Sequence, residues 1–220
     1  MNKIIHQVFI QFEPNKDLCD IPIFSTQTKL TQEYCKSNNI TYKLWREPDI
    51  DTLLLKYTQF RKLYDNFKQP IQRVDFIRYL ILYDQGGIYI DCDIHPIADI
   101  TELFTMNQFF VRWNDDKRML PYNAVLGSKP NNPLYEAIFQ EIIDSVIEKD
   151  KIDIYKKWIG RYVFQTTGHF MLQRVIKRYK HMDDIFKLDI LKINTKDGKV
   201  VSGNNPLFED YNASIWYQGK

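Results

Sequence analysis

The pattern of hydrophobic and polar positions is clearest between residues 70 and 95. Apolar side chains first recur every three or four residues, which predicts a helix over 70–86. That helix is expected to end at Gly86-Gly87, because glycine adopts positive φ without strain. Apolar and polar side chains then alternate, which predicts a strand over 88–94.

Two carboxylates, Asp91 and Asp93, fall at the end of this predicted strand. In an extended segment a spacing of two places both side chains on the same face. Adjacent carboxylates repel each other unless protons or a cation separate them. A hard divalent cation that also binds a diphosphate explains the pair economically. The alternative is an exposed strand end with solvated acids.

The rest of the chain alternates between predicted strands and helices. The strands are predicted at 3–10, 40–45, 108–113, 123–128 and 188–193. The helices are predicted at 26–38, with Ser25 or Thr26 as the cap, at 49–68, with a break, and at 133–148 and 166–179. A turn is predicted at 196–199, and residues 204–220 are predicted to be irregular. This order favours an α/β domain with a largely parallel central sheet, expected to be a single domain over 1–220. Ligands of such sheets bind at the carboxyl ends of strands, where Asp91 and Asp93 fall.

The composition argues against some classes of protein. The 220 residues are 44% hydrophobic and carry 30 basic and 28 acidic side chains, a net charge of +2 that predicts no nucleic-acid surface. Three scattered cysteines favour a reducing compartment. No window approaches the roughly 18 apolar residues of a membrane span, and the first residues do not resemble a signal peptide. We therefore expect a cytoplasmic protein, and the abundance of Ile, Lys, Asn, Asp and Tyr suggests a bacterium or a large virus.

A second acidic pair, Asp49 and Asp51, directly follows Pro48. Acidic residues are favoured in the first turn of a helix by capping and by the helix dipole. This pair is therefore expected to start a helix and not to form a site.

Asp75 and Arg78 interrupt the otherwise apolar helix predicted over 70–86. Their i, i+3 spacing allows both side chains to face the same side. An ordinary intrahelical ion pair, which stabilises a helix by only about 0.2–0.5 kcal/mol, is the simpler interpretation. The functional interpretation has both side chains binding hydroxyl groups of a ligand.

The run 73–93, RVDFIRYLILYDQGGIYIDCD, resembles the core signature of the DXD-containing, sugar-binding glycosyltransferases. That group includes fungal α-mannosyltransferases, animal α-1,4-galactosyltransferases and, more distantly, the glucosylating domains of clostridial toxins. The matching positions are Asp75, Arg78, Tyr79, Leu82, Tyr83, Gly86, Gly87, Tyr89, Asp91 and Asp93, without a gap. Weaker similarity extends from KIIHQVFIQ near the start to SIWYQGK at the end.

The resemblance implies a GT-A fold, a nucleotide-sugar donor, a hydroxyl acceptor and a divalent cation, usually Mn²⁺ with Mg²⁺ possible. It also implies transfer with retention of the anomeric configuration, from a UDP-sugar or alternatively GDP-mannose to a glycan, lipid or protein. The implied donor-binding residues are His6, Gln7, Asp75, Arg78, Tyr79, Asp91, Asn123 and Trp216, and the implied metal ligands are Asp91 and Asp93.

The chain departs from the family pattern near its end. Many relatives place a His about six residues before the final Trp, and here that position is Asp210, with Asn212 nearby. An oxygen ligand suits Mn²⁺ or Mg²⁺, so either residue is a candidate to complete the metal shell. Two other classes stay open: a metal-dependent nucleotidyltransferase, and a non-catalytic carbohydrate- or nucleotide-binding protein.

Overall fold

The computed structural model describes residues 1–12, 15–112, 121–151, 158–179, 186–187, 191–194, 200–202 and 205–213. The helices are α1 (Pro22–Ser37), α2 (Glu47–Lys56), α3 (Arg61–Asp65), α4 (Pro70–Gln85), α5 (Pro133–Lys149), α6 (Ile159–Thr166) and α7 (His169–Arg178). The strands are β1 (Ile4–Val8), β2 (Thr41–Trp45), β3 (Gly87–Ile90), β4 (Ile94–Pro96), β5 (Gln108–Arg112), β6 (Pro121–Ser128), β7 (Phe186–Lys187), β8 (Leu191–Asn194), β9 (Val200–Ser202) and β10 (Phe208–Asp210).

These strands form two sheets. The larger sheet has the order β2-β1-β3-β6-β5-β7, and the smaller one has the order β4-β10-β8-β9. In the larger sheet β1 runs parallel to β2 and β3, and β5 runs parallel to β7, whereas β6 is antiparallel to both of its neighbours. The predicted α/β class with a mostly parallel central sheet is confirmed.

Helix α4 is the core helix of the fold. Residues 76–82 are all almost fully buried, including the apolar Phe76 and Leu80 at 0% exposure. The predicted helix 70–86 is confirmed, with Pro70 at its start and Gly86, at φ 64°, as its C-terminal cap. Because residues 74–82 of this helix are buried on every side, the polar side chains among them must find partners inside the protein.

The strand predicted over 88–94 is wrong in its second half. Strand β3 ends at Ile90, and the chain then turns, with the N–H of Ile94 donating to the carbonyl of Asp91 at 3.1 Å. Strand β4 begins at Ile94 and pairs with β10 in the smaller sheet. Asp91 and Asp93 therefore lie in a turn between the two sheets and not on one face of a single strand.

Three other element boundaries differ from the prediction. Helix α1 begins at Pro22, whose fixed φ suits a first helical position, and neither Ser25 nor Thr26 caps it. The helix predicted over 166–179 is interrupted at Thr167-Gly168, where both N–H groups turn back to the carbonyl of Val163. The segment predicted to be irregular contains strand β10.

Two other predictions are confirmed. The break expected within 49–68 separates α2 from α3. Asp49 accepts from the N–H of Arg46 at the start of α2, which is a capping role. Residues 188–190 and the predicted turn at 196–199 lie outside the described residues.

Candidate active site

Arg78 is the centre of a buried charge network. Its side chain is only 3% exposed, and its guanidinium lies 3.0 Å from Asp75 Oδ1 and 3.3 Å from Asp91 Oδ1. It also donates to the carbonyl of Asn123 at 2.6 Å and lies over the ring of Tyr89. One cation thus holds carboxylates from α4 and from the turn after β3 next to each other.

Asp75 is bound from three sides. Besides Arg78, it accepts from Asn123 Nδ2 at 3.0 Å and from Thr167 Oγ1 at 2.8 Å. Burial raises the pKa of this carboxyl, and the charge of Arg78 and these hydrogen bonds oppose that rise. Thr167 was not among the residues expected from the sequence. The sequence feature that could have indicated it is the Thr-Gly pair at 167–168, which interrupts the helix between α6 and α7.

Asp91 joins the network to the main sheet. Its N–H donates to the carbonyl of Ala124 on β6, and its Oδ1 accepts from the hydroxyl of Tyr89 at 2.6 Å. Burial raises its pKa, whereas the charge of Arg78 lowers it. The side chain keeps 29% of its surface exposed and lines a cavity.

Asp93 and Asp210 form a second, differently held acidic pair. Asp93 Oδ2 accepts from the N–H of Ala213 at 2.8 Å, and Asp210 Oδ1 accepts from the N–H of Asn212 at 2.6 Å. Burial and the charge of Asp91 raise the pKa of Asp93 to about 6. Burial and the charge of Asp93 raise the pKa of Asp210. The buried carboxylate of Asp210 and the half-buried carboxylate of Asp93 therefore repel each other.

This donor set fits a divalent cation bound together with a diphosphate. Among the described residues no group of three or more His, Cys, Asp or Glu side chains is arranged to hold a metal by itself. Mg²⁺-type ions are commonly bound by one or two carboxylates together with substrate phosphates and water. Asp91, Asp93 and Asp210 supply oxygen ligands of this kind, and a cation there would relieve their repulsion.

The acidic residues open onto a cavity of about 360 Å³. Its polar centre is flanked by apolar walls from two different parts of the fold. The lining comprises Val8, Phe9, Phe12, Phe24, Ile71, Val74, Asp75, Arg78, Asp91, Cys92, Asp93, Pro121, Tyr122, Asn123, Ala124, Val163, Phe164, Gly168, His169 and Asn212.

Three of the expected donor-binding residues lie beneath this cavity and do not line it. His6, Gln7 and Tyr79 are all at 0% exposure. His6 accepts from the indole N–H of Trp45 and bonds the carbonyl of Gly86, and burial lowers its pKa to about 4. It is therefore a neutral, structural histidine, and the residues after it, Val8 and Phe9, reach the cavity instead.

Most of the other expected site residues line the cavity. Asp75, Arg78, Asp91, Asp93, Asn123 and Asn212 all line the cavity. Asp210 is 1% exposed and reaches the site through its pairing with Asp93. Trp216 lies outside the described residues.

The fold is that of a GT-A glycosyltransferase, as solved structures show. The PaToxG glycosyltransferase superimposes with a TM-score of 0.56 at 14% identity, covering 80% of this chain and 68% of that one. A glycosyltransferase involved in the glycosylation of the major capsid of PBCV-1 gives a TM-score of 0.51 at 10% identity, covering 96% and 93%. The expected GT-A fold is confirmed.

Sequence comparisons find similarity to one glycosyltransferase family. The glycosyltransferase sugar-binding region containing a DXD motif matches residues 10–110. Over this region the chain is similar to the DXD-containing glycosyltransferases.

Two relatives illustrate the match. An uncharacterized glycosyltransferase of Acanthamoeba polyphaga mimivirus is 31% identical over 144 residues, or 63% of this chain and 54% of that protein. The mannosyl phosphorylinositol ceramide synthase CSH1 of Saccharomyces cerevisiae is 30% identical over 184 residues, or 81% and 45%. The chain thus spans about half the length of the curated relatives that it matches.

Within the described part of the chain, none of the helices combines the length and the apolar character that crossing a bilayer requires.

Proposed function

We propose that this chain is a metal-dependent, retaining glycosyltransferase that moves a hexose from a nucleotide-sugar to a hydroxyl acceptor. One observation carries the proposal. The interlinked side chains of Asp75, Arg78 and Asn123 line the same cavity as Asp91 and Asp93. A group able to bind sugar hydroxyls thus lies beside a group suited to a metal-bound diphosphate.

In this proposal the polar trio holds the donor sugar. Asp75 accepts hydrogen bonds from sugar hydroxyls, while Asn123 and Arg78 donate or orient. Their mutual bonds at 2.6–3.0 Å fix these groups before the substrate arrives, which reduces the reorganisation needed at reaction. Thr167 holds the second oxygen of Asp75 and keeps the carboxylate in position.

Asp91 and Asp93, with Asp210 beside them, would hold a divalent cation, for which Mn²⁺ or Mg²⁺ are suitable candidates. When bound, such an ion stabilises the negative charge that develops on the departing diphosphate. Asp91 would also reach the donor ribose. The main-chain bonds to Asp93 and Asp210 keep both carboxylates aimed at this place.

Transfer then follows a front-face route. The bond from the anomeric carbon to the phosphate oxygen breaks, and the acceptor hydroxyl forms the new bond on the same face. The departing phosphate oxygen takes the proton of that hydroxyl. This route needs no protein nucleophile, and the carboxylates of Asp75 and Asp91 stabilise the positive charge on the sugar ring.

The apolar walls divide the remaining substrate between them. Phe9 and Phe24, whose rings are in edge contact, pack with Cys92 on the β1 side, where we place the nucleotide base. Val163, Phe164 and His169, on α6 and at the start of α7, form the opposite wall, where we place the acceptor. A UDP-sugar is the expected donor, and the mannosyl transfer in the names of relatives such as CSH1 supports GDP-mannose as the alternative.

The test is release of free nucleotide from a panel of UDP- and GDP-sugars, with Mn²⁺ and with chelator. Wild type and Asp93→Ala are compared, with exposed Asp144→Ala as the control. We expect one donor to release nucleoside diphosphate, and this release to vanish with chelator and in Asp93→Ala only. Incorporation of a nucleoside monophosphate would indicate nucleotidyl transfer, and binding of donor without turnover, with acceptors supplied, would indicate a non-catalytic protein.

A further inference from the structure

Gln7 is buried directly beneath the turn that carries Asp91 and Asp93. Its side-chain amide is at 0% exposure, on the strand next to β3 in the main sheet. Its Nε2 donates to the carbonyl of Asp91 at 3.0 Å and to the carbonyl of Ile94 at 3.4 Å. One amide group therefore bonds the backbone at both ends of the turn.

The orientation of this amide is set by Tyr42. The hydroxyl of Tyr42, on β2, donates to Gln7 Oε1 at 2.8 Å. With its oxygen engaged there, the amide presents its two N–H groups to the two carbonyls. The opposite orientation would face oxygen against oxygen and leave the hydroxyl of Tyr42 without its acceptor.

The turn needs such a support because its two ends belong to different sheets. Asp91 follows β3 of the larger sheet, and Ile94 opens β4 of the smaller sheet. The turn's own hydrogen bond joins the N–H of Ile94 to the carbonyl of Asp91, and it connects the two ends of the turn only to each other. Among the described residues, Gln7 is the one side chain that bonds both ends.

We propose that Gln7, oriented by Tyr42, is a positioning residue that sets the separation of the Asp91 and Asp93 carboxylates and thereby the affinity of the site for a divalent cation. This inference rests on the proposed function. Gln7 itself touches neither substrate nor metal, and it acts through the backbone of the turn. Residues in such outer positions typically change metal affinity or activity by about 10–100-fold when they are replaced.

The experiment compares Gln7→Met and Tyr42→Phe with Tyr34→Phe in the full chain. Methionine keeps the approximate length and volume of glutamine but removes its hydrogen bonds. Tyr34→Phe is the matched control, because the hydroxyl of Tyr34 is also engaged inside the protein, with Ala98 and Ile100, away from the turn. Mn²⁺ binding is measured from the loss of the free-ion electron paramagnetic resonance signal, and amide hydrogen exchange at Ile94 is measured without metal.

We expect Gln7→Met to weaken Mn²⁺ binding by roughly tenfold or more, with faster exchange of the Ile94 amide. Tyr42→Phe should change the Mn²⁺ affinity and the Ile94 exchange rate in the same direction but by less. Tyr34→Phe should change neither quantity. If Gln7→Met does not fold, Tyr42→Phe carries the test alone. Unchanged Mn²⁺ affinity in folded variants, or an equal loss in Tyr34→Phe, overturns the proposal.

The two proposals fail in distinguishable ways. If wild type binds no Mn²⁺ and turns over no donor, the proposed function fails and the affinity part of this inference fails with it. Exchange at Ile94 still reports whether Gln7 holds the turn. If wild type binds Mn²⁺ and turns over a donor but the Gln7 and Tyr42 variants bind it equally well, only the positioning role fails.

Discussion

The backbone N–H of Ala213 donates to Asp93 Oδ2 at 2.8 Å, and so joins the acidic turn to the segment that follows β10. A second link, from the N–H of Tyr211 to the carbonyl of Asp93 at 3.2 Å, runs beside it. Strand β10 itself ends at Asp210, whose carboxylate repels that of Asp93. The acidic site is therefore held together by main-chain hydrogen bonds against the repulsion of its own side chains.

Replacing Asp93 by Asn should stabilise the metal-free protein at pH 7 while abolishing metal-dependent transfer. The amide oxygen can still accept from the N–H of Ala213, but the charge that repels Asp210 is gone. Thermal unfolding with chelator should show a higher midpoint for Asp93→Asn than for wild type. Asp144→Asn, on the exposed face of α5, should leave both the midpoint and transfer unchanged. A lower midpoint for Asp93→Asn would contradict the assigned repulsion.

Metal affinity should fall as the pH is lowered through about 6. The pKa of Asp93 is raised from 3.8 to about 6 by burial and by the charge of Asp91. Since a cation must displace this proton, the apparent Mn²⁺ affinity should drop roughly fivefold between pH 6 and pH 5. Titrations of Mn²⁺ at pH 5, 6 and 7.5 test this, and an affinity that is constant over the range would contradict a ligand role for an Asp93 whose pKa is raised in this way.

Protein stability without metal should change in the opposite sense. Between pH 4 and about 6 the folded state binds the Asp93 proton more tightly than the unfolded chain does. For this group the free energy of unfolding therefore decreases as the pH rises through that window. The difference between wild type and Asp93→Asn in urea unfolding, measured with chelator, should be small at pH 4 and larger at pH 7.

Arg78→Ala should destabilise the fold by about 3–5 kcal/mol, the usual effect of removing one partner of a buried ion pair. Asp75 would lose its counter-charge in a buried place, and Asp91 would lose it in a half-buried one. Arg61 is the matched control, since it also pairs with two aspartates, Asp51 and Asp65, but on the surface. Urea unfolding should show little change for Arg61→Ala, and equal losses in the two variants would contradict the buried network.

Gly87→Ala should destabilise the protein by more than the about 1–3 kcal/mol that a positive φ alone imposes on a non-glycine residue. Gly87 has φ 94°, and an added Cβ would lie 2.6 Å from Ile4 Cγ2 and 2.7 Å from the carbonyl of Ile4. Thermal unfolding measures the effect. An unchanged midpoint would show that the start of β3 can shift away from β1.

Substitutions in the two apolar walls should have different effects on the kinetics. Phe164→Ala should raise the KM for the acceptor and leave hydrolysis of the donor nearly unchanged, because Phe164 lines the wall assigned to the acceptor. Phe9→Ala should instead weaken donor binding, measured by calorimetry with the product nucleotide. If Phe164→Ala weakens donor binding and Phe9→Ala raises the KM for the acceptor, the assignment of the walls is reversed. If neither substitution has an effect, the assignment is wrong.

Much of the site could be predicted from local sequence. Helix α4 has a proline start and a glycine end, and its helical spacing brings Asp75 and Arg78 close to each other. The turn at Asp91–Asp93 could not be predicted, because alternation over 88–94 suits a continuous strand equally well. What breaks the strand is the pairing of β4 with β10, a contact between distant parts of the chain.

The positions of Gln7 and Thr167 depend on distant contacts in the same way. Nothing near Gln7 in the sequence indicates that its amide meets the carbonyl of Asp91, which depends on the order β2-β1-β3 in the sheet. Thr167 reaches Asp75 only because α6 ends where it does. The sequence predicts which residues are polar within an apolar element, whereas their partners follow from the topology.

The link from Ala213 to Asp93 also bears on the order in which the molecule assembles. It closes a chain segment of 120 residues, and contacts so distant in sequence form against a large entropy of loop closure. We therefore expect strand β10 to dock after the sheet that carries the acidic turn has formed. In that order of folding, the acidic site would be among the last parts of the molecule to be completed.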